Sequence, residues 1–246
     1  MKWSPSDKTY WLLVIILALS GAASVFFMPL HLMPGAELPA PKPVLALANG
    51  LALLVIYGGL GFLGLRLSGK LGFRKIWDPE VSQRERFVIP LMTGAALGIF
   101  FILTDRVLCR FHTLGGLPHP PFPASILASV TAGIGEEIIF RLFFISLWVY
   151  LISRLLRDRG KNQVFWTVSV FSALAFAAGH LPAIFMLYGI KSMQELPWAL
   201  LAELLLLNGV LSLFAADYLR KWGFLAAAGV HFWTDIVWHV IWGGLA

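Results

Sequence analysis

Seven long apolar stretches, separated by short polar connections, constrain this chain more than any other feature of its sequence. Each holds 17 to 30 residues, and about 20 mostly apolar residues are enough for a helix to span a bilayer. The stretches run Trp11–Met28, Val44–Leu65, Phe87–Leu103, Pro123–Ile152, Val164–Tyr188, Pro197–Ala216 and Phe224–Leu245. Because a helix satisfies its own backbone polar groups inside lipid, the pattern predicts an all-α, polytopic membrane bundle of about seven transmembrane helices.

Composition supports a membrane protein over a soluble one. Of the 246 residues, 59% are hydrophobic and 13% are charged, whereas soluble domains carry about 25% charged residues. The net charge of +6 comes from Lys and Arg in the connections, which is typical of topology signals and argues against nucleic-acid binding. The single cysteine, Cys109, excludes an internal disulfide and a multi-cysteine metal site.

The connections on the two sides of the predicted bundle differ in charge. The side that includes the N-terminus has 14 of the 19 Lys and Arg, the other side has 4, and Arg141 lies inside a helix. The positive-inside rule therefore predicts a cytoplasmic N-terminus and an external C-terminus. The first stretch has features of a signal peptide, but its apolar run continues past Ala23, so we expect an uncleaved helix. The short loops favour a prokaryotic plasma (inner) membrane.

The fourth stretch contains three charges, Glu136, Glu137 and Arg141, within an otherwise apolar segment. Each charge near the centre of a bilayer costs roughly 2.5–3.5 kcal/mol on insertion scales, so such residues are normally paired or functional. Glu137 precedes Arg141 by four residues, which is the favourable order for an ion pair on one helix face. Glu136 lies about 100° further round the helix. We therefore interpret Arg141 as the counter-ion of Glu137, and Glu136 as the carboxylate that is free to act.

Polar residues also interrupt the last three stretches, at His180, Glu203, Asn208, His231, Asp235 and His239. Counted from the outer helix ends at 1.5 Å per residue, the side chains fall roughly 12–21 Å deep at four positions: Glu136, His180, His231 and Asp235. These four groups can therefore share one level of the membrane. Small residues beside them, Gly133, Gly135 and Gly179, are expected to permit close helix approach.

A carboxylate and two imidazoles at one depth suit the activation of water. A desolvated carboxylate is a competent general base, and imidazoles can orient the water, donate to an oxyanion or bind a metal. The chain has no HExxH motif, which excludes the usual zinc-protease helix. The residues alone leave three interpretations open: membrane-embedded hydrolysis, a proton- or ion-coupled transporter, and a structural polar network.

Three motifs, in order, resemble the signature of the CPBP intramembrane proteases, which include CAAX prenyl endopeptidases and bacteriocin-processing (formerly Abi) relatives. They are Glu-Glu-x-x-x-Arg at Glu136, Glu137 and Arg141, Phe-x-x-x-His at Phe176 and His180, and His-x-x-x-Asp at His231 and Asp235. The resemblance covers about Pro123 to Leu245. It divides the chain into an N-terminal three-helix membrane region, residues 1–121, and a catalytic membrane core of helices four to seven, residues 122–246.

The resemblance implies an intramembrane endopeptidase that hydrolyses a peptide bond of a membrane-associated or lipid-anchored substrate in the lipid bilayer. In that role Glu136 would deprotonate the attacking water, and His180 would hold and polarise it. The oxyanion would be stabilised by His231 and Asp235, and the supporting residues would be Glu137, Arg141 and Phe176. We expect no cofactor, with a divalent metal at Glu136, His180 and His231 as the alternative. The alternative functions are a non-proteolytic immunity or scaffold protein and a proton-coupled transporter.

Several polar residues have less certain places. The family often has asparagine where this chain has Asp235, and an ionised aspartate cannot donate a hydrogen bond. Asp235 must then be protonated, orient His231 or help to bind a cation. We expect Glu203 and Asn208 to line the cavity or to close the polar network, and His239 to lie near the outer interface. The remaining histidines, in predicted outer loops or helix ends, are expected to be solvated: His31, His112 and His119.

Overall fold

The computed structural model describes residues 3–27 and 38–245, and all regular secondary structure in this part of the chain is helical. Seven helices in it are long and apolar enough to cross a membrane, as the apolar stretches predicted. They are α1 (Pro5–Phe27), α2 (Lys42–Lys70), α3 (Arg84–Phe111), α4 (Ala124–Leu155), α5 (Lys161–Tyr188), α6 (Trp198–Trp222) and α7 (Phe224–Trp242). Two positions named above, Met28 and His31, lie outside the described residues.

Most helices extend beyond the apolar stretches that predicted them. Helix α1 begins six residues earlier than expected because Ser4 caps it. The Ser4 hydroxyl accepts the Asp7 N–H at 3.1 Å, and the Asp7 carboxylate accepts the Ser4 N–H at 3.1 Å, which is a capping box. At the other ends, α2 continues to Lys70 and α6 to Trp222, because long basic side chains can reach the interface while their backbone stays helical.

The first three helices pack against the last four. Helices α1 and α2 contact the charged part of α4, and α3 packs along α7. Glycines permit this: a Cβ on Gly64 would meet the Leu142 backbone, and a Cβ on Gly94 would lie 2.6 Å from the Val230 carbonyl oxygen. The N-terminal helices therefore support α4 and α7 from behind. The division of the chain at residue 121 stays a prediction.

Two of the three glycines near the motifs allow close helix contact. A Cβ on Gly133 would lie 3.0 Å from Phe232 of α7, and one on Gly135 would lie 3.2 Å from Leu17 and Tyr57. The same expectation is wrong for Gly179, whose Cβ would meet only Phe140 at 3.9 Å, an ordinary contact. Close approach therefore holds α4 against α7 and α1, but does not involve α5.

Three departures from regular α-helix occur at or beside the motifs. From Ala132 to Ile145, α4 follows the wider π pattern of i→i+5 hydrogen bonds, and α7 does so from Ile236 to Trp242. Such π segments are rare and are frequently found at functional sites. Helix α5 is interrupted at His180, and a second segment, Leu181–Tyr188, begins with proline in its first turn.

Candidate active site

One cavity of about 280 Å³ lies between α4, α5, α6 and α7. Its wall contains the four residues that the depth count placed at one level: Glu136, His180, His231 and Asp235. Most of the remaining wall is apolar, and the loop before α4 closes one end through Leu117, Pro118 and Pro120. The structure therefore brings residues from all three motifs to one cavity.

His231 is the centre of the polar contacts in this site. Its side chain is buried, and its Nδ1 lies 2.8 Å from Oε1 of Glu137. An ionised carboxylate only accepts hydrogen bonds, so Nδ1 carries a proton and donates it to Glu137. The other ring nitrogen, Nε2, lies 3.7 Å from Oε2 of Glu136 and 3.7 Å from Oδ2 of Asp235. One imidazole is thus bonded to one carboxyl group and faces two more.

Glu137 and Arg141 form an ion pair within α4, as their spacing predicted. The Arg141 Nε lies 3.2 Å from the Glu137 Oε2, and both side chains are fully buried. The Arg141 guanidinium also lies 4.3 Å from the ring centre of Phe176. Because Glu137 uses its second oxygen to hold His231, the three residues form a chain of contacts from Arg141 through Glu137 to His231.

Sequence reasoning missed the contact between Glu137 and His231. The two residues are 94 positions apart and lie on different helices, so no local spacing connects them. It makes Glu137 the residue that orients the imidazole, a part that the sequence analysis considered only for Asp235.

His180 occupies the interruption of α5. Its Nδ1 lies 2.9 Å from the carbonyl oxygen of Phe176, one turn earlier. A carbonyl oxygen only accepts, so Nδ1 donates, and Nε2 is the nitrogen left for a ligand in the cavity. The Phe176 ring is buried and packs edge-on against both imidazoles, with centroids 4.9 Å from His180 and 5.8 Å from His231. Phe176 thus fixes the spacing between the two histidines.

Glu136 differs from its neighbour Glu137 in its access to the cavity. The Glu136 side chain is 34% exposed, whereas that of Glu137 is fully buried. The Glu136 side chain makes no hydrogen bond to another described residue, and its Oε2 lies 3.7 Å from Nε2 of His231. A carboxylate in this position is open to water and has a histidine next to it, which are the conditions that a general base needs.

His119 is half-buried, whereas the sequence analysis expected it to be solvated. Its Nδ1 lies 3.1 Å from Nδ1 of His239, and its ring packs edge-on against Trp238 at 4.5 Å. Burial lowers the pKa of His119, and the nearby carboxylate of Asp105 opposes this shift. These contacts attach the loop before α4 to α7. The sequence analysis expected a solvated side chain because His119 lies outside the apolar stretches, but the aromatic end of α7 covers it. His112 is likewise half-buried.

The two polar residues of α6 have different environments. Asn208 lines the cavity, where its Nδ2 donates to the Leu204 carbonyl oxygen at 2.9 Å. Glu203 does not line it; this residue is 1% exposed and lies beside Asp105 of α3. Asp105 in turn accepts the Leu117 N–H at 2.9 Å. This hydrogen bond attaches the loop before α4 to α3, in addition to its contact with α7 through His119.

The fit of the site to a metal ion depends on its histidine nitrogens and on the arrangement of the possible ligands. His231 and His180 each use Nδ1 for a hydrogen bond, to Glu137 and to the Phe176 carbonyl oxygen, and histidines that bind metals through the other nitrogen usually make such a bond as well. Across residues 3–27 and 38–245, no group of three or more His, Cys, Asp and Glu side chains is arranged to hold a metal. The candidate ligands Glu136, His180 and His231 share the cavity without forming such a group.

Comparison with known proteins identifies the half of the chain that holds this site. A family model described as Rce1-like, type II CAAX prenyl endopeptidase Rce1-like, matches residues 118–237. The matched segment begins in the loop at the end of the cavity and includes all three motifs. The match supports a CPBP family intramembrane protease, and therefore an intramembrane endopeptidase. No curated protein and no solved structure matches the chain.

Proposed function

We propose that the chain is an intramembrane endopeptidase in which Glu136 activates a water molecule for attack on a peptide bond. The observation that carries the proposal is the arrangement around His231. Glu137 holds one ring nitrogen at 2.8 Å, and the other nitrogen faces Glu136 and Asp235 at 3.7 Å. The family match supports an endopeptidase, and the roles of the individual residues are our inference.

In the proposed first step, the Glu136 carboxylate accepts a proton from water, and the resulting hydroxide attacks the carbonyl carbon of the scissile bond. His180 orients the same water, because its Nδ1 is occupied by the Phe176 carbonyl and its Nε2 accepts a hydrogen bond. General-base assistance of this kind contributes about 10²–10⁴-fold to a rate. Catalytic contacts tighten when substrate binds, so the 3.7 Å separation is compatible with this role.

In the proposed second step, the tetrahedral intermediate holds a negative charge on the former carbonyl oxygen. A protonated His231 donates to this oxygen from Nε2, because its Nδ1 is committed to Glu137. Asp235 donates to it when protonated. Glu136 then passes its proton to the departing amine, so that the elements of water end on the new carboxyl and amino termini.

Arg141 and Glu137 are positioning residues in this proposal. A buried carboxylate beside a guanidinium remains an acceptor, so Glu137 holds His231 with its proton on Nδ1. Because Nδ1 is held in this way, Nε2 points to the substrate and donates to the oxyanion when the ring carries its second proton. The same logic applies when a buried carboxylate orients the histidine of a hydrolase.

The mostly apolar wall of the cavity supports a membrane-associated or lipid-anchored peptide as substrate. We further propose that the N-terminus lies in the cytoplasm of a prokaryotic plasma membrane, following the distribution of Lys and Arg. The loop that closes the cavity is then on the external side. In this proposal a substrate passes the loop from the external side to reach Glu136.

The proposal is tested by comparing protein termini in native-host membranes that contain the wild type, Glu136→Gln or Glu195→Gln at equal abundance. Glu195→Gln is the matched control, because Glu195 is exposed in the connection between α5 and α6. We expect discrete fragments that are lost only with Glu136→Gln, with new termini in external segments of their parent proteins. Termini in cytoplasmic segments would reverse the proposed orientation without affecting the chemistry.

Four results would contradict the proposal. If the fragments persist with Glu136→Gln, Glu136 is not the base. If neither the wild type nor the variant produces fragments and both give the same phenotype, a scaffold function is favoured. Proton flux in vesicles without cleavage would favour a transporter. Treatment of the purified enzyme with a chelator is expected to leave cleavage unchanged; a loss that one divalent cation restores would contradict the metal-independent mechanism.

A further inference from the structure

A second cavity, of about 430 Å³, lies at the opposite ends of α2, α4 and α5 from the loop that closes the first cavity. Its wall includes six side chains that matter here: Lys70, Tyr150, Ser153, Arg154, Asp158 and Lys161. Its volume is within the range of about 300–1,000 Å³ that is usual for ligand pockets. The proposed protease reaction uses none of these residues.

The cations of this cavity are incompletely neutralised. Lys161 pairs with Asp158 at 3.2 Å, whereas neither Lys70 nor Arg154 has a carboxylate partner among the described residues. Both cations lie 5.4 Å from the ring centre of Tyr150. One aromatic ring thus brings two like charges to the same wall, an arrangement that favours an anion between them.

A buried donor lies in the same wall. Ser153 is 1% exposed, and its hydroxyl has no hydrogen-bond partner in the part of the chain that the structure describes. Buried hydroxyls in proteins are usually bonded, and in a helix they commonly bond to the carbonyl one turn earlier. The Ser169 hydroxyl of α5 does so with Phe165 at 2.8 Å. The hydroxyls of Ser146, Ser153 and Ser212 make no such bond, and of these three residues only Ser153 lines the basic cavity.

We propose that this cavity binds the phosphate group of an anionic lipid. Lys70 and Arg154 would supply charge and hydrogen bonds to the phosphate oxygens, and Ser153 would donate one more. Basic pockets between transmembrane helices on the cytoplasmic side bind anionic headgroups, and this end of the bundle carries the basic connections. The neighbouring Leu151 and Leu155 of α4 are exposed, as side chains in contact with acyl chains would be.

The test measures lipid binding to the purified full-length chain in a neutral detergent by native mass spectrometry. Phosphatidylglycerol and phosphatidylcholine of equal chain length are compared, and inorganic phosphate is the competitor. The variant is Lys70→Gln with Arg154→Gln. The matched control is Lys75→Gln with Arg84→Gln, which removes two exposed charges at the same end of the bundle but outside the cavity.

We expect the wild type to prefer phosphatidylglycerol, and the cavity variant to bind it about 20–30-fold more weakly, as two lost cations near a membrane surface imply. The control should bind like the wild type, and Ser153→Ala, a mild change for the fold, should weaken binding by a smaller factor. Failure of inorganic phosphate to compete assigns the site to a lipid, whereas full competition assigns it to free phosphate. Equal loss in both double variants, or no preference between the lipids, would overturn the proposal.

Discussion

The two sides of His231 are built in opposite ways. On the Nδ1 side, Glu137 and Arg141 are fully buried and are joined by contacts of 2.8 and 3.2 Å. On the Nε2 side, Glu136 and Asp235 lie 3.7 Å away, and the Glu136 side chain is 34% exposed to the cavity. The short contacts fix the ring, and the longer ones leave space where water and a peptide have to enter. Substitutions on the buried side should therefore affect stability, and those on the cavity side should affect the rate.

The largest effect is expected from Arg141→Leu. This change leaves Glu137 buried without its counter-ion, and breaking a buried pair costs about 3–5 kcal/mol. Thermal unfolding in detergent should show the loss, and the double variant Glu137→Leu with Arg141→Leu should recover part of it. The double variant should remain inactive, because His231 has lost the acceptor of its Nδ1 proton.

The control for the buried pair is Lys221→Leu, which removes the exposed partner of Asp217. This change should alter the unfolding temperature little, because Arg220 also lies beside Asp217, at 3.7 Å. A stable Arg141→Leu protein would contradict the stabilising role of the pair. Full activity in the double variant would show that His231 does not need Glu137.

A smaller effect, confined to the rate, is expected on the cavity side at Asp235. Asp235→Leu removes the polar group and should lower the rate of cleavage by about 10²–10³-fold, the usual cost of losing one oxyanion donor. Asp235→Asn keeps a hydrogen-bond donor and should stay within about tenfold of the wild type, or 1.4 kcal/mol. Both variants should unfold at the wild-type temperature. If Asp235→Asn lowered the rate of cleavage as much as Asp235→Leu, the negative charge of Asp235 would be its essential property.

The smallest effect is expected at the loop that closes the cavity. Burial lowers the pKa of His119 when the loop is attached to α7, while Asp105 opposes this shift. The detached loop therefore binds protons more readily, so attachment is favoured above the ordinary histidine pKa of about 6.5 and weakens as the pH falls below it. Hydrogen exchange in residues 112–120 should show more frequent opening at about pH 5 than at about pH 8. His119→Gln should remove this difference, and an unchanged pH response in that variant would assign it to another group.

Features that depend on local spacing were predictable from the sequence. The seven helices followed from the lengths of the apolar stretches, and the Glu137–Arg141 pair followed from an i,i+4 interval. Counting depth placed four side chains at one level, because rise per residue is nearly constant along a helix: Glu136, His180, His231 and Asp235. These predictions needed no knowledge of how one helix is rotated against another.

Features that depend on the rotation of helices could not be predicted in this way. The bond from Glu137 to His231 requires that α4 and α7 face each other at particular angles, and the π winding of α4 changes those angles. His119 was expected to be solvated, because it lies in a polar loop, yet Trp238 and His239 cover it. In both cases the partner comes from a helix about a hundred residues away in the chain.

The ion pair within α4 also has a consequence for the biogenesis of the protein. During synthesis α4 reaches the membrane before α7, so His231 is absent when the charges of α4 must insert. Because the partner of Arg141 is one turn away on the same helix, two of the three charges neutralise each other at that moment, where each alone would cost roughly 2.5–3.5 kcal/mol. Helix α4 can therefore enter the bilayer carrying its own counter-ion, and the site is completed when α7 arrives with the imidazole.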